Sequence, residues 1–270
     1  MRSPNLREVA SPANSLMKVF RRALADGTTK DGWLAVEGPF LVEEALNAGP
    51  RVKTHSVLVA SGAAEKFSAL LHGLPAEAEI TQVPDRLFAG VAQTQTPQGI
   101  AALVELPAHQ LEQVVAVANP LLVVACRIQD PGNLGTMMRT ALAFSASAFL
   151  TLQETVSPFN PKAVRSSAGA IFRLPLVCGL DPKVALPFLS RRVRMVAAER
   201  HSPASLSQAD LTGPIAILVG REASGLPEEI ARHAGQLLSI PIRKEVDSLN
   251  AATAASIFLY EAARQRGFRY

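Results

Sequence analysis

From Leu121 onward the chain alternates short, mostly apolar runs with amphipathic segments, and this pattern narrows the possible folds more than any other feature. The runs are LLVVAC (121–126), SAFLTL (147–152), LPLVCG (174–179), VRMVAAE (193–199), PIAILVG (214–220) and LLSIPI (237–242). Between and after them lie NLGTMMRTALAF, NPKAVRSSAGAIF, VALPFLSRR, LPEEIARHAG and SLNAATAASIFLYEAARQRG, with apolar residues at helical spacing. A strand that is apolar on both faces must be covered on both faces. The pattern therefore predicts an α/β domain with a parallel sheet and helices on either side. In such sheets ligands sit outside the carboxyl ends of the strands, so any chemistry belongs to the strand-to-helix loops.

A smaller α/β unit precedes it. WLAVEG (33–38), THSVLVA (54–60), EAEITQV (77–83) and GIAALVEL (99–106) read as strands, and FLVEEALNAG (40–49), AAEKFSALLHG (63–73) and PDRLFAGVAQ (84–93) as helices. Ahead of these, NSLMKVFRRALADGTTKDG reads as a basic helix and turn carrying Lys18, Arg21, Arg22 and Lys30. LPAHQLEQVVAVANP, bracketed by Pro107 and Pro120, reads as a linker with one short helix. The expected organisation is a domain over 1–107, a linker over 108–119 and a second domain over 120–270.

Composition excludes several classes. With 48% apolar and 19% charged residues the chain has a substantial core and is not disordered. Cys126 and Cys178 form no C-x-x-C pair, and His55, His72, His109, His201 and His233 lack metal-ligand spacing, so no disulfide framework or metal site is expected. No run approaches the roughly 20 apolar residues of a membrane span, and the amino terminus lacks a secretory pattern; a cytoplasmic protein is expected. The net charge of +4 resides in residues 108–270, which carry +5 against −1 for residues 1–107, and the basic residues are 20 Arg and 7 Lys. Arginine suits bidentate phosphate recognition. Neither a dinucleotide-binding G-x-G-x-x-G, a P-loop, a G-x-S-x-G elbow nor H-E-x-x-H is present.

Three strand-end loops stand out. Gln129–Thr136 (QDPGNLGT) enters a helix on which Arg139 lies six residues after Asn133, and a helix start of this kind can present N–H groups to an anion. Val219–Leu226 (VGREASGL) brackets a charged pair with glycines that allow close backbone approach. Ile240-Pro241-Ile242 is followed by Asp247-Ser248-Leu249-Asn250, with Ser248 or Asp247 as the expected helix cap.

N-x-G-x-x-x-R-T-A, V-G-x-E-x-x-G-L and I-P-x…S-L-N-x-x-x-A, in that order, resemble the SpoU (TrmH-like) branch of the SPOUT RNA methyltransferases across residues 119–266, and V-E-G-P-F-L-V-E-E-A-L with T-P-Q-G-I-A-A-L-V resembles an L30e-like substrate-binding domain. The resemblance implies a deep trefoil knot, a homodimer, S-adenosylmethionine as cofactor and methyl transfer to a ribose 2′-hydroxyl of structured RNA, rRNA before tRNA. It assigns Arg139, Asn133, Glu222, Ser248 and Asn250 to catalysis and Gly220, Ile240 and Leu249 to the cofactor. Lys18, Arg21, Arg22, Lys30 and Arg165 become the residues expected to meet RNA. Family members commonly have Gly where this chain has Ser145 and Lys244, which puts a bulky cation beside the cofactor loop. The competing reading is a non-catalytic RNA-binding protein.

Overall fold

The computed structural model describes residues 6–200, 202–221 and 225–268. Two compact units divide the chain. One holds the residues up to Pro107 together with Phe159–Arg165; the other holds Ala108–Pro158 and the residues from Ser166 onward.

The first unit runs β1 (Leu6–Glu8), α1 (Ser15–Asp26), β2 (Leu34–Glu37), α2 (Pro39–Asn47), β3 (Lys53–Ala60), α3 (Ser68–His72), β4 (Glu79–Val83), α4 (Asp85–Ala89) and β5 (Ile100–Glu105). Its sheet has the order β1-β4-β3-β5-β2. β5 is antiparallel to both β3 and β2, while β1, β4 and β3 are parallel. Helix α1 begins at Asn14, whose side chain accepts from Leu16 N, and buries Met17, Phe20, Ala23 and Leu24 against Ala35, Leu58, Ala101 and Leu103. Its remaining positions carry the basic residues. β1 gave no apolar alternation to read: all three of its residues are exposed and it is held by backbone pairing to β4. The helix expected over 63–73 splits into a 3₁₀ turn at Ser61–Ala63 and α3.

Helix α7 (Pro161–Ser166) falls, as far as Arg165, in the first unit, and the second unit contains α5 (Leu111–Val115), β6 (Leu121–Ala125), α6 (Pro131–Ala143), β7 (Ala148–Leu152), β8 (Leu176–Leu180), α8 (Pro182–Ser190), β9 (Arg194–Ala198), β10 (Ile215–Val219), α9 (Glu228–Ala231), β11 (Gln236–Leu238) and α10 (Ala251–Gln265). The sheet is parallel throughout in the order β11-β9-β10-β6-β7-β8. β6, β7 and β10 are buried along their whole length, as continuous apolar runs require. Segment 108–119 is more than a connection, because Leu111, Val114 and Val115 of α5 enter the core with Leu122, Val124 and Leu150.

Two expected elements are shorter than their apolar runs. β11 ends at Leu238, since Pro241 has no N–H to offer a neighbouring strand. The helix expected over 160–172 breaks after Ser166, where Ala168 (φ 47°) and Gly169 (φ 84°) both take positive φ before a 3₁₀ turn at Ala170–Phe172.

Candidate cofactor and catalytic site

The chain leaves β6 toward β7 and β8 on one side, and places β10, β9 and β11 on the other. The switch point lies between β6 and β10, where the carboxyl ends open a crevice. A cavity of roughly 270 Å³ occupies the carboxyl ends of β9, β10 and β11. Val219, Leu238, Ile240, Leu249 and Phe258 give it apolar walls, and Glu199, Arg200 and Ser248 give it polar ones. Gly220, Ile240, Leu249 and Ser248, singled out in sequence, all line this cavity.

Gly220 is required sterically. A Cβ there would come within 2.4 Å of Gly225 O and 2.7 Å of Leu226 N, because Arg221 and Gly225 exchange hydrogen bonds N→O at 3.1 and 3.0 Å. Glu222, between them, lies outside the described residues.

Asp130 caps α6, accepting from Asn133 N at 2.9 Å. That corrects one expectation: an acidic side chain of this chain itself already meets the start of the helix that was to offer its N–H groups to an anion. The cap of α10 is likewise Asn250, not Ser248 or Asp247. Asn250 Oδ1 accepts from Ala252 N (2.9 Å) and Thr253 N (3.2 Å), which fixes the amide so that Nδ2 faces outward and donates to Asn133 Oδ1 at 2.9 Å. One turn and a half further on, Thr140 Oγ1 meets Ser256 Oγ at 3.1 Å. The first and third sequence motifs are thus joined along the α6–α10 seam.

Arg139 lies on α6 with its side chain exposed, and forms no hydrogen bond or ion pair with any described residue. Lys244 is exposed in segment 241–248 and does not line the cavity. On the first unit, Lys18 and Lys30 are exposed; Arg21 Nε donates to Gly90 O (3.3 Å), and Arg22 is paired with Asp26 (3.2 Å). Arg165 is exposed on α7. Ser145 has φ 55° just beyond α6, the left-handed position where the family's glycine has no steric penalty.

Sequence reasoning missed three residues here. Glu199 and Arg200 follow β9, whose loop carries no recognisable motif; Arg200 Nη2 pairs with Asp247 Oδ1 at 2.9 Å across the cavity mouth. Arg127 follows β6 in a left-handed conformation (φ 57°), meets Glu154 at 3.0 Å and Glu229 at 3.2 Å, and so fixes the loop that leads to Asn133. Burial pushes the Cys126 thiol up, so it is not a ready nucleophile. Among the described residues no group of three His, Cys, Asp or Glu is placed to hold a metal ion, and no helix is long and apolar enough to cross a membrane.

A parallel α/β domain whose strand ends carry an apolar-walled cavity beside a polar helix seam is a small-molecule-dependent enzyme domain in form. Residues 120–260 match the SpoU rRNA methylase family and residues 28–102 match an MRM3-like substrate binding domain, and the chain belongs to the SpoU family. It is 29% identical over 256 residues to the 23S rRNA (guanosine(2553)-2′-O)-methyltransferase RlmP of Bacillus subtilis, covering 94% of this chain and 98% of that one. It is 32% identical over 194 residues to a 23S rRNA (uridine-2′-O)-methyltransferase of Streptomyces viridochromogenes, covering 70% of this chain and 68% of the relative. Among solved structures, an AdoMet-bound rRNA methyltransferase from Sinorhizobium meliloti superposes with a TM-score of 0.83 at 30% identity over 96% of this chain and 98% of that chain.

Proposed function

We propose that the protein is a cytoplasmic S-adenosylmethionine-dependent methyltransferase acting on a ribose 2′-hydroxyl of rRNA. The observation that carries this reading is the Asn133–Asn250 bond, which couples two motifs beside the cavity. The cavity fits the cofactor by its chemistry: apolar walls from Ile240, Leu249, Val219 and Phe258 suit a purine, and the Glu199 carboxylate suits hydroxyl or cationic groups. Gly220, Ile240 and Leu249 would hold it. When bound, S-adenosylmethionine supplies an electrophilic methyl group on a sulfonium.

The 2′-hydroxyl is a poor nucleophile until its developing negative charge is met. A guanidinium is effectively always protonated, so Arg139 acts as a donor and not as a base. It holds a substrate phosphate and stabilises the incipient alkoxide while the hydroxyl proton passes to a phosphate oxygen or water. Asn133, held by Asn250, together with Ser248 and Glu222, positions this group and the cofactor's methionine end. Lys18, Arg21, Arg22, Lys30 and Arg165 contact the RNA backbone, placing it without reading its sequence.

The active form is a homodimer with a trefoil knot. The return of segment 239–250 from the β11 edge to α6 supports the knot, and Ile242, Val246 and Tyr260, apolar side chains 40–47% exposed, support a second subunit. Comparison of 2′-O-methylation across ribosomal RNA from cells with and without the gene tests the function. One site should lose its protection from alkaline cleavage; an unchanged map refutes the reading.

A further inference from the structure

The first unit carries a feature that the methyl-transfer site does not use. Trp33, the only tryptophan in the chain, stacks on His55 with ring centroids 3.8 Å apart and planes 8° from parallel. The two residues are not on neighbouring strands: Trp33 immediately precedes β2 and His55 lies in β3, with β5 between β2 and β3. They meet because the β3–β5 register shifts between Thr54 and Ser56, which makes His55 the extra residue of a bulge. Bulges re-aim side chains and are concentrated near functional sites. This one leaves the buried Ser56 hydroxyl without a hydrogen-bond partner, a destabilising feature in an otherwise regular strand.

The stack is also anchored. His55 Nε2 bonds Glu105 Oε2 at 2.9 Å, and Lys53 Nζ lies 3.8 Å from Glu105 Oε1. The bond from His55 and then the charge of Lys53 hold the Glu105 carboxyl below its ordinary value. Trp33 is gripped by a hairpin in which Thr29 N donates to Trp33 O (2.8 Å) and Trp33 N to Thr29 Oγ1 (3.1 Å). One edge of Trp33 rests on the α1 core, and His55 keeps 29% of its side-chain surface exposed. Exposed Lys30, Arg51 and Lys53 flank the pair in sequence.

A rigid π surface at the open end of a sheet, with exposed cationic residues close to it in sequence, is the chemistry that captures an unpaired nucleobase. We propose that the Trp33–His55 stack is a platform for one unpaired base of the RNA substrate, a contact that rests on the rRNA-methyltransferase reading. A base stacks on the outer face of His55, and the exposed cationic residues close in sequence, Lys30 and Arg51, serve its phosphate. Because every base has a π face, the platform selects single-stranded over duplex RNA without choosing a sequence.

The test titrates the full-length protein with a labelled single-stranded RNA of about ten nucleotides and with the same RNA as a duplex, following RNA anisotropy and Trp33 emission. Single-stranded RNA should bind more tightly and change the emission. His55→Ala should weaken single-strand binding by roughly five- to a hundredfold, His55→Tyr should restore most of it, and calorimetric S-adenosylmethionine affinity and Tm should stay near wild type. Equal single-strand affinity in His55→Ala, or silent Trp33 emission at saturation, overturns the platform while leaving methyl transfer standing. Absence of both RNA binding and methyl transfer in the wild type overturns the two together.

Discussion

The two ends of α10 are held by opposite means. At its start, one exposed side chain, Asn250, both caps the helix and reaches Asn133 beside the cavity. At its finish, Arg266 is half-buried and donates to four carbonyls, those of Leu211, Asn119, Pro120 and Gly213, with no carboxylate among its partners in the described residues. Gln265 adds bonds to Ala209 O (2.9 Å) and from Leu211 N (2.7 Å). Desolvation, and then repulsion from Arg194, lowers the Arg266 pKa, so this guanidinium is retained by carbonyl dipoles in place of a counter-ion. The starting end is built from few groups on an open surface and is the end to which the proposed mechanism assigns chemistry. The finishing end ties the last helix to the entries of β6 and β10 and serves stability. Substitutions at the two ends should therefore move different measurements.

The largest effect belongs to the chemical end. Arg139→Ala should reduce turnover at least about a hundredfold, a loss of about 3 kcal/mol in transition-state stabilisation. Tm should not move, since the exposed side chain has no hydrogen bond or ion pair to lose among the described residues. Transfer of labelled methyl to RNA at near wild-type rate would remove Arg139 from the mechanism. Next comes Arg266→Met, which leaves buried carbonyls without donors and should destabilise the protein by about 3 kcal/mol, lowering Tm by roughly 6–12 °C. Turnover per folded molecule should be preserved, so a variant with unchanged Tm but lost activity would reverse the assignment of that end.

The contrast also explains what could be read in advance. The parallel sheet was legible because buried strands such as Leu121–Ala125 and Ile215–Val219 are apolar on both faces, and the site motifs were legible because Gly220 directly follows a strand while Asn133 and Asn250 stand at helix starts. Arg266 was not, because its partners are backbone carbonyls from segments 53 to 147 residues away, and carbonyls leave no mark in a sequence. Glu199 and Arg127 were missed for a related reason: each acts through the strand order, which places β9 beside β10 and α9 near the β6 loop. The cap of α10 was misplaced by two or three residues because Asp247, Ser248 and Asn250 are all competent caps. The bond to Asn133 is what the local sequence does not contain.

Asn250 allows its two tasks to be separated. Asn250→Asp keeps an acceptor for Ala252 N and Thr253 N but can no longer donate to Asn133 Oδ1. Its stability should stay within about 0.5 kcal/mol of wild type, while methyl transfer falls roughly tenfold, as for loss of about 1.4 kcal/mol of positioning. Asn250→Ala loses both tasks and should add about 1 kcal/mol of destabilisation to the same kinetic defect. If Asn250→Asp is fully active, the bridge to Asn133 has no part in arranging the site.

The smallest effect is expected at Ser145, which lines a crevice with Phe144, Gln265 and Arg266 and so belongs to the stabilising end of α10. Its φ of 55° is one that an L-residue adopts at a penalty of about 1 kcal/mol. The turn is nevertheless needed, because Ser145 N reaches Leu142 O (3.1 Å) and Ala146 N reaches Ala141 O (2.8 Å) to close the helix. Ser145→Gly relieves the strain but gives the unfolded chain more conformational freedom, an opposing contribution of about 0.5 kcal/mol. The difference predicts a gain of about 0.5 kcal/mol and a rise in Tm of roughly 1–2 °C, with kcat and cofactor affinity unchanged. Chemical denaturation at constant m-value measures it. A loss of stability would mean that the serine is held by something stronger than the turn, and a change in cofactor affinity would mean that the two ends of α10 are coupled after all.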